Sequence, residues 1–303
     1  MDLQIRNLSK TYANGVHALK DVSLTIPAGM YGLLGPNGAG KSTLMRTLAT
    51  LQEPDRGSVH LGDVDVLKDK ERARESLGYL PQEFGVYPRE SAERLLEHFA
   101  VLKGLTDRRV RRETVDALLH QVNLHDVRKQ KLGGFSGGMR QRFGVAVALL
   151  GDPRLIIVDE PTAGLDPAER VRFLNLLSGL GERSVVLLST HIVEDVAELC
   201  SRMAIIDRGT ILLEDEPLRA VEALRGRIWR KVVPRGELEA LERTHAVLST
   251  RLLAGRTVVR VYAEALPGAG FEPAEPGLED VYFCVMGGHG VSRAVQPRLE
   301  VAS

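Results

Sequence analysis

Cysteine is scarce in this 303-residue chain: Cys200 and Cys284 are too few to build a disulfide framework or a zinc cage. Neither sign of charge is in excess. The 40 Lys and Arg residues balance 40 Asp and Glu, which gives no basic field for nucleic acid and no acidic surplus of the kind that keeps a chain disordered. No nucleic-acid partner is therefore expected. Long apolar runs are also missing, since a stretch such as Val145-Ala146-Val147-Ala148-Leu149-Leu150 falls far short of the ~20 residues that span a bilayer. The opening Met1-Asp2-Leu3-Gln4 has neither the basic nor the apolar region of a secretion signal, and no repeat recurs along the chain. What is present, 44% hydrophobic and 26% charged residues, fits a globular protein of a reducing compartment.

The hydrophobic pattern changes along the chain. Leu3-Gln4-Ile5-Arg6 and Val22-Ser23-Leu24-Thr25-Ile26 alternate as half-buried strands do. Met30-Tyr31-Gly32-Leu33-Leu34 is a continuous apolar run that ends at a Gly-rich loop, and Thr43-Leu44-Met45-Arg46-Thr47-Leu48 beyond the loop suits a helix. From 91 to 122 the period is helical, carried by Leu95, Phe99 and Leu102 and then by Val115, Leu118, Leu119 and Val122, with Thr106 as the expected N-cap of the second helix. Buried-strand runs return at Leu155-Ile156-Ile157-Val158, Val185-Val186-Leu187-Leu188 and Met203-Ala204-Ile205-Ile206, with helical stretches at about 168–180 and 191–200 between them. After Pro217 a smaller α+β pattern follows, including a helical stretch near 237–248 and a last apolar segment, Val281 to Met286.

Gly35-Pro36-Asn37-Gly38-Ala39-Gly40-Lys41-Ser42 matches G-x-x-x-x-G-K-[ST], and it stands between an apolar strand and a helix, where such a loop belongs. Gly38 and Gly40 free the backbone N–H groups to turn toward phosphate oxygens, and the helix starting near Lys41 adds its positive end. Lys41 neutralises β- and γ-phosphate charge, and the Ser42 hydroxyl is a ligand for Mg²⁺. Asp159 and Glu160 close the strand Leu155–Val158. Asp159 is expected to hold Mg²⁺ as the acidic partner of Ser42, while Glu160, one residue on, points elsewhere and polarises an attacking water.

Between these motifs, Phe135-Ser136-Gly137-Gly138-Met139-Arg140-Gln141-Arg142 resembles the signature sequence of ABC-type ATPases. Tyr79-Leu80-Pro81-Gln82 is similar to the family's Q-loop, Pro161-Thr162-Ala163-Gly164-Leu165-Asp166 to its D-loop, and Ser189-Thr190-His191 to its H-switch. The motifs follow the family's order through residues 1–215. Phe135 replaces the usual Leu, and Met139 replaces a polar residue.

The resemblance implies an α/β fold: a P-loop NTPase core of ABC type with an antiparallel β subdomain, a helical insertion and a small α+β C-terminal appendage. The expected divisions are an ATPase domain over 1–216 with its helical part at about 84–135, an accessory domain over 217–286, and a flexible tail over 287–303. ATP and Mg²⁺ are the implied ligands. Gly35, Asn37, Gly38, Ala39, Gly40, Lys41, Ser42 and Thr43 cradle the phosphates, Tyr12 stacks on adenine, and Gln82 joins Ser42 and Asp159 at the metal. Ser136, Gly137 and Gly138 meet the γ-phosphate held by a partner's P-loop; Asp166 of the D-loop is a further ATP-binding residue, and His191 acts with Glu160 in hydrolysis. Ser136 as an N-cap followed by two glycines is independently a helix start suited to phosphate.

The chain carries one set of motifs and no sustained heptads, unlike two-cassette translation factors and coiled-coil DNA-repair relatives. The implied partners are a separate multi-spanning membrane permease and a second copy or paralogous ATPase, at the cytoplasmic face of the cell membrane. Leu278-Glu279-Asp280-Val281-Tyr282-Phe283 resembles the terminal segment of ABC-2-type exporter ATPases. A non-transport ATP switch acting on a membrane or cytosolic partner is the alternative. Phe84, Val86 and Tyr87 are either a surface for the permease or local core; the basic run Arg225, Arg227, Arg230 and Lys231 beside Trp229 is either a solvated strand face or a membrane contact.

Overall fold

The computed structural model describes residues 1–85, 87–181 and 184–290, so Val86 and the end of the expected tail, 291–303, lie outside the described residues. The chain begins with β1 (Asp2–Thr11) and β2 (His17–Pro27), followed by β3 (Gly29–Leu34), the P-loop and α1 (Lys41–Leu48). Then come β4 (Arg56–Leu61), β5 (Val64–Asp65), α2 (Lys70–Glu75) and β6 (Leu77–Leu80). Strands β2-β1-β4-β5 form an antiparallel sheet.

The helical segment holds α3 (Ala92–Leu102), capped by Ser91, and α4 (Arg108–Gln121). Asp107 caps α4, not Thr106: its carboxylate accepts from the N–H groups of Arg109 at 2.8 Å and Val110 at 2.9 Å. An ionised acceptor satisfies a helix N-terminus better than a hydroxyl does. Next are α5 (Gly137–Ala148), β7 (Leu155–Asp159), α6 (Pro167–Ser178), β8 (Val185–Thr190), α7 (Val193–Leu199), β9 (Arg202–Asp207) and β10 (Thr210–Asp215).

The six-stranded sheet runs β10-β9-β3-β8-β7-β6, with every pairing parallel except β10 with β9. Its strands read as continuous apolar runs because both faces are buried. Leu155, Ile157, Val185 and Leu187 face a core shared with the antiparallel sheet and with Leu44, Met45 and Leu48 of α1, while Ile156, Val158, Val186 and Leu188 face the core of the helical layer. This sandwich holds α1 and the carboxyl ends of β3, β7 and β8 in fixed register, and the phosphate loop grows from that edge.

The last part comprises α8 (Pro217–Glu222), β11 (Ile228–Val233), α9 (Leu238–Thr244), β12 (Ala246–Leu253), β13 (Arg256–Tyr262), β14 (Glu272–Pro273) and α10 (Leu278–Gly287). Here the helix expected over 237–248 stops at Thr244, and residues from Ala246 pair with β13 as an edge strand of the sheet β12-β13-β11-β14. Pairing with β13 and packing of Val247 against Val259, Val261 and Phe271 override the local helical pattern. The basic run is a locally paired strand face. Arg230 bonds Glu272 at 3.0 Å, Arg227 pairs with Glu264 at 3.1 Å, and Lys231 sits 5.2 Å from the centre of the Phe271 ring. Leu278, Val281 and Cys284 of α10 join the large core, which ties the C-terminal segment to α7 and α8. Among the described residues no helix is long and apolar enough to cross a membrane.

Candidate functional site

β3 ends at Leu34, the chain turns through Gly35–Ala39, and α1 starts directly after Gly40. Gly40 has φ 109°, and a Cβ there would fall 2.5 Å from the Ala18 carbonyl oxygen, so conformation and space both demand glycine. Gly38 has φ 80° with open space around it, so its requirement is conformational alone. Asn37, Gly38 and Ser42 are exposed at the loop's mouth, while Gly35, Ala39, Lys41 and Thr43 are buried beneath it.

Lys41 is 5% exposed. Its Nζ donates to the Gly35 carbonyl at 2.6 Å and the Pro36 carbonyl at 3.2 Å, and it lies 3.3 Å from Glu160 Oε1. The other carboxylate oxygen of Glu160 is 2.5 Å from His191 Nδ1. Lys41 at the start of α1 and Glu160 and His191 just past the ends of β7 and β8 thus form one chain of contacts. Glu160 itself is 5% exposed and has φ 49°, a left-handed backbone that residues other than glycine rarely adopt. Its N–H is held by the Ser189 carbonyl at 2.9 Å. The strained turn separates the directions of two consecutive carboxylates, Asp159 still in the strand and Glu160 beyond it.

Burial pushes the Asp159 carboxyl above its ordinary value, and the neighbouring Glu160 adds to this; the Ser189 and Ser42 hydroxyls and Lys41 pull the other way. Asp159 Oδ1 and Ser189 Oγ are both buried without a hydrogen-bond partner. A buried carboxylate oxygen without a donor, beside the hydroxyl of Ser42, is the donor set a small hard cation takes, and these residues fit Mg²⁺.

Tyr12 reaches the same edge. Its hydroxyl is 3.1 Å from Thr43 Oγ1 and 3.2 Å from Gln52 Oε1, which leaves the ring 38% exposed beside α1. Gln82 stands exposed just past β6 and makes no hydrogen bond to Ser42 or Asp159. Ser136 caps α5, accepting from the Met139 N–H at 3.2 Å, and Asp166 caps α6, accepting from the Glu169 N–H at 2.8 Å. Among the described residues no hydrogen bond or ion pair joins Ser136, Gly137, Gly138 or Asp166 to the P-loop. The sequence-derived residues therefore fall into two groups: a phosphate-loop cluster and a separate pair of capped helix starts.

Sequence reasoning passed over Gln52, Ser189 and Asp195. Gln52 carries no pattern of its own, and Ser189 was read only as part of the H-switch. Asp195, buried on α7, bonds the Thr162 hydroxyl and the Arg170 guanidinium, partners too far along the chain to be paired by inspection.

The family model described as ABC transporter matches residues 19–163. The ABC transporter ATP-binding protein YxlF of Bacillus subtilis (strain 168) is 33% identical over 94% of this chain and 99% of its own length. The probable multidrug ABC transporter ATP-binding protein YbhF of Escherichia coli (strain K12) is 31% identical over 91% of this chain, which spans about half (50%) of that relative. Among solved structures, the dimeric post-hydrolysis state of the ATP-binding cassette MJ0796 bound to ADP and Pi superposes with a TM-score of 0.64, at 27% identity over 71% of this chain and 98% of the other. With a relative 33% identical and matched along nearly its full length, the chain belongs to the ABC transporter family.

Proposed function

We propose that this chain is the ATP-hydrolysing subunit of an ABC exporter, working as a dimer with a second copy or a paralogue and driving a separate membrane permease. The observation that carries the reading is the split of the site: the Lys41–Glu160–His191 chain of contacts and the Ser136-capped start of α5 are unconnected in one subunit. Each chain thus offers half of two sites, and a dimer completes both. The MJ0796 cassette is a dimer with ADP and Pi, which supports this arrangement.

In the proposed reaction Lys41 and the P-loop N–H groups bind the β- and γ-phosphates of ATP, and the Tyr12 ring stacks on adenine. Ser42, Asp159 and Gln82 would hold Mg²⁺, which would supply charge neutralisation at the phosphates. Glu160 accepts the proton of the attacking water, and His191, through its Nδ1, fixes the carboxylate. Ser136, Gly137 and Gly138 of the second subunit close on that phosphate, with Asp166 at the same interface. Because those contacts exist only with ATP in place, the nucleotide favours the closed dimer over the open one.

Residues 1–216 are assigned to the ATPase and 217–286 to an accessory domain. The permease reading draws on the name of YbhF and on a groove of about 620 Å³ between α2, β6 and α3, lined by Arg74, Tyr79, Phe99 and Leu102. Phe84 packs on Phe143 at 6.1 Å between centroids and so belongs to the local core, whereas Tyr87 is 64% exposed. The protein would sit at the cytoplasmic face of the membrane through this partner.

The test is co-purification of tagged Glu160→Gln with ATP from detergent-solubilised native membranes. A stoichiometric multi-spanning protein in the eluate is the expected result. Recovery only in the soluble fraction, bound to a cytosolic protein, leaves the ATPase chemistry and replaces export with the switch reading.

A further inference from the structure

Asp195 has no solvent exposure. Burying a carboxylate is costly unless both oxygens find partners, so its contacts need a reason. One oxygen accepts from Arg170 Nε at 2.8 Å, with Arg170 Nη2 2.6 Å away. The other accepts from the Thr162 hydroxyl at 2.5 Å and from the Thr190 hydroxyl at 3.5 Å.

These partners come from the segments that carry the chemistry. Thr162 lies two residues beyond Glu160, in the turn that leads to Asp166. Thr190 immediately precedes His191, and its hydroxyl also accepts the Ile192 N–H at 2.9 Å. Arg170 stands on the first turns of α6, the helix Asp166 caps. A buried Asp–Arg pair that only stapled helices would need α6 and α7 alone. Asp195 instead also grips the chain just after Glu160 and just before His191, the two residues whose side chains meet at 2.5 Å. Glu160 needs such support, because its left-handed backbone is held in place only by its surroundings.

We propose that Asp195 is a positioning residue for hydrolysis. By locking Thr162 and Thr190 to one carboxylate, it holds Glu160 and His191 in register and makes the turn bearing Asp166 move with them. The inference rests on Glu160 and His191 acting in hydrolysis, as proposed above. It adds the device that ties the H-switch to the D-loop within one subunit. ATP binding itself, made by the P-loop on the other side of Glu160, does not depend on it.

Thr162→Val tests this with least disturbance, because it keeps the side chain's shape and removes only the hydroxyl. The full chain is assayed for steady-state ATP hydrolysis, for affinity toward a fluorescent trinitrophenyl-ATP probe, and for thermal midpoint. Thr162→Val is expected to lower kcat at least about tenfold, with KM for ATP and probe affinity changed less than about twofold. Thr162→Ser, which restores the hydroxyl, returns kcat to within about threefold of the parent. Thr162→Val combined with Asp195→Asn is no slower than the slower single variant, since both cut the same link. Should Asp195→Asn fail to fold, the Thr162 pair still decides. Unchanged kcat in Thr162→Val overturns the proposal. So does a Thr162→Ser variant as slow as Thr162→Val, or a loss of kcat matched by equal losses of probe affinity and thermal midpoint. Glu160→Gln, run alongside, separates the two levels: full activity there removes Glu160's role and the brace with it, whereas inactivity there with unimpaired Thr162→Val removes only the brace.

Discussion

Gly138 packs directly against the side chain of Glu169: a Cβ placed on the glycine would lie 2.8 Å from the Glu169 carboxyl carbon. Glu169 is restrained from retreating. Arg142 of α5 pairs with one of its oxygens, Arg172 Nη1 bonds the other at 2.8 Å, and its N–H is held by Asp166. The glycine of the signature and the helix that follows the D-loop are therefore fitted to each other within one subunit. Alanine in a helix is ordinarily better than glycine by roughly 0.5–1 kcal/mol, so propensity alone makes Gly138→Ala stabilising. The packing reverses the sign, and a net loss of about 1–2 kcal/mol is expected. Urea denaturation of the two proteins decides it, and a stabilised variant would show that Glu169 yields freely.

Lys41 and Glu160 are buried side by side, 3.3 Å apart, but their removal has opposite consequences for nucleotide. Lys41→Met deletes the cation proposed to lie beneath the phosphates and leaves a buried carboxylate with His191 as its remaining partner. Affinity for ATP is expected to fall at least tenfold, about 1.4 kcal/mol. Glu160→Gln keeps the shape and the lysine, so affinity holds within about threefold. Equilibrium titration with a fluorescent ATP analogue measures both, and undiminished binding in Lys41→Met removes the lysine from the phosphate site.

Turnover is expected to fall when either Glu160 or His191 is replaced. Positioned acid–base groups contribute on the order of 10²–10⁴ in rate, so Glu160→Gln is expected to lose about 10²-fold or more in kcat. His191 lies half exposed and touches Glu160 through one ring nitrogen. His191→Ala therefore loses the hydrogen bond that orients Glu160, and its kcat is expected to fall into the same range. A coupled phosphate-release assay reads both. Rapid hydrolysis by Glu160→Gln overturns its role as the proton acceptor.

The parts of the fold and site legible in the sequence were those whose physics is contiguous. The turn Gly35–Gly40, the strand end at Asp159 and Glu160, and the Ser136 cap each put their reason into a few adjacent residues, and the structure places them as read. The both-faces-buried strands were legible for the same reason. Misreadings occurred where a partner far along the chain decides. Residues 246–248 look helical until β13 pairs with them, and Asp107 outcompetes Thr106 for a cap that either residue type satisfies. The Thr162–Asp195 bond joins residues 33 apart, and no pattern announces it. The resemblance puts Gln82 at the metal, and the structure shows it exposed just beyond β6.

The two thiols give the fold a pH and reagent signature independent of nucleotide. Cys200 and Cys284 are both buried, and burial, with Asp195 acting on the first and Asp280 on the second, pushes each up to about 12 from an ordinary 9.0. A thiol reagent such as dithionitrobenzoate is expected to label neither cysteine in the native protein near neutral pH, and both after denaturation. The linkage has a definite sign. The folded form keeps these protons while the unfolded chain releases them near its ordinary value, so their contribution to stability is complete below about pH 9 and is lost as pH rises toward 12. Replacing Cys284 with Ala removes part of that alkaline sensitivity while leaving a cavity in the core beneath α10. The variant is therefore less stable at neutral pH yet loses less stability between pH 9 and 11 than the parent does. Denaturation curves across that range test the prediction, and parallel pH dependence in the two proteins would show that the Cys284 thiol is not held protonated by the fold.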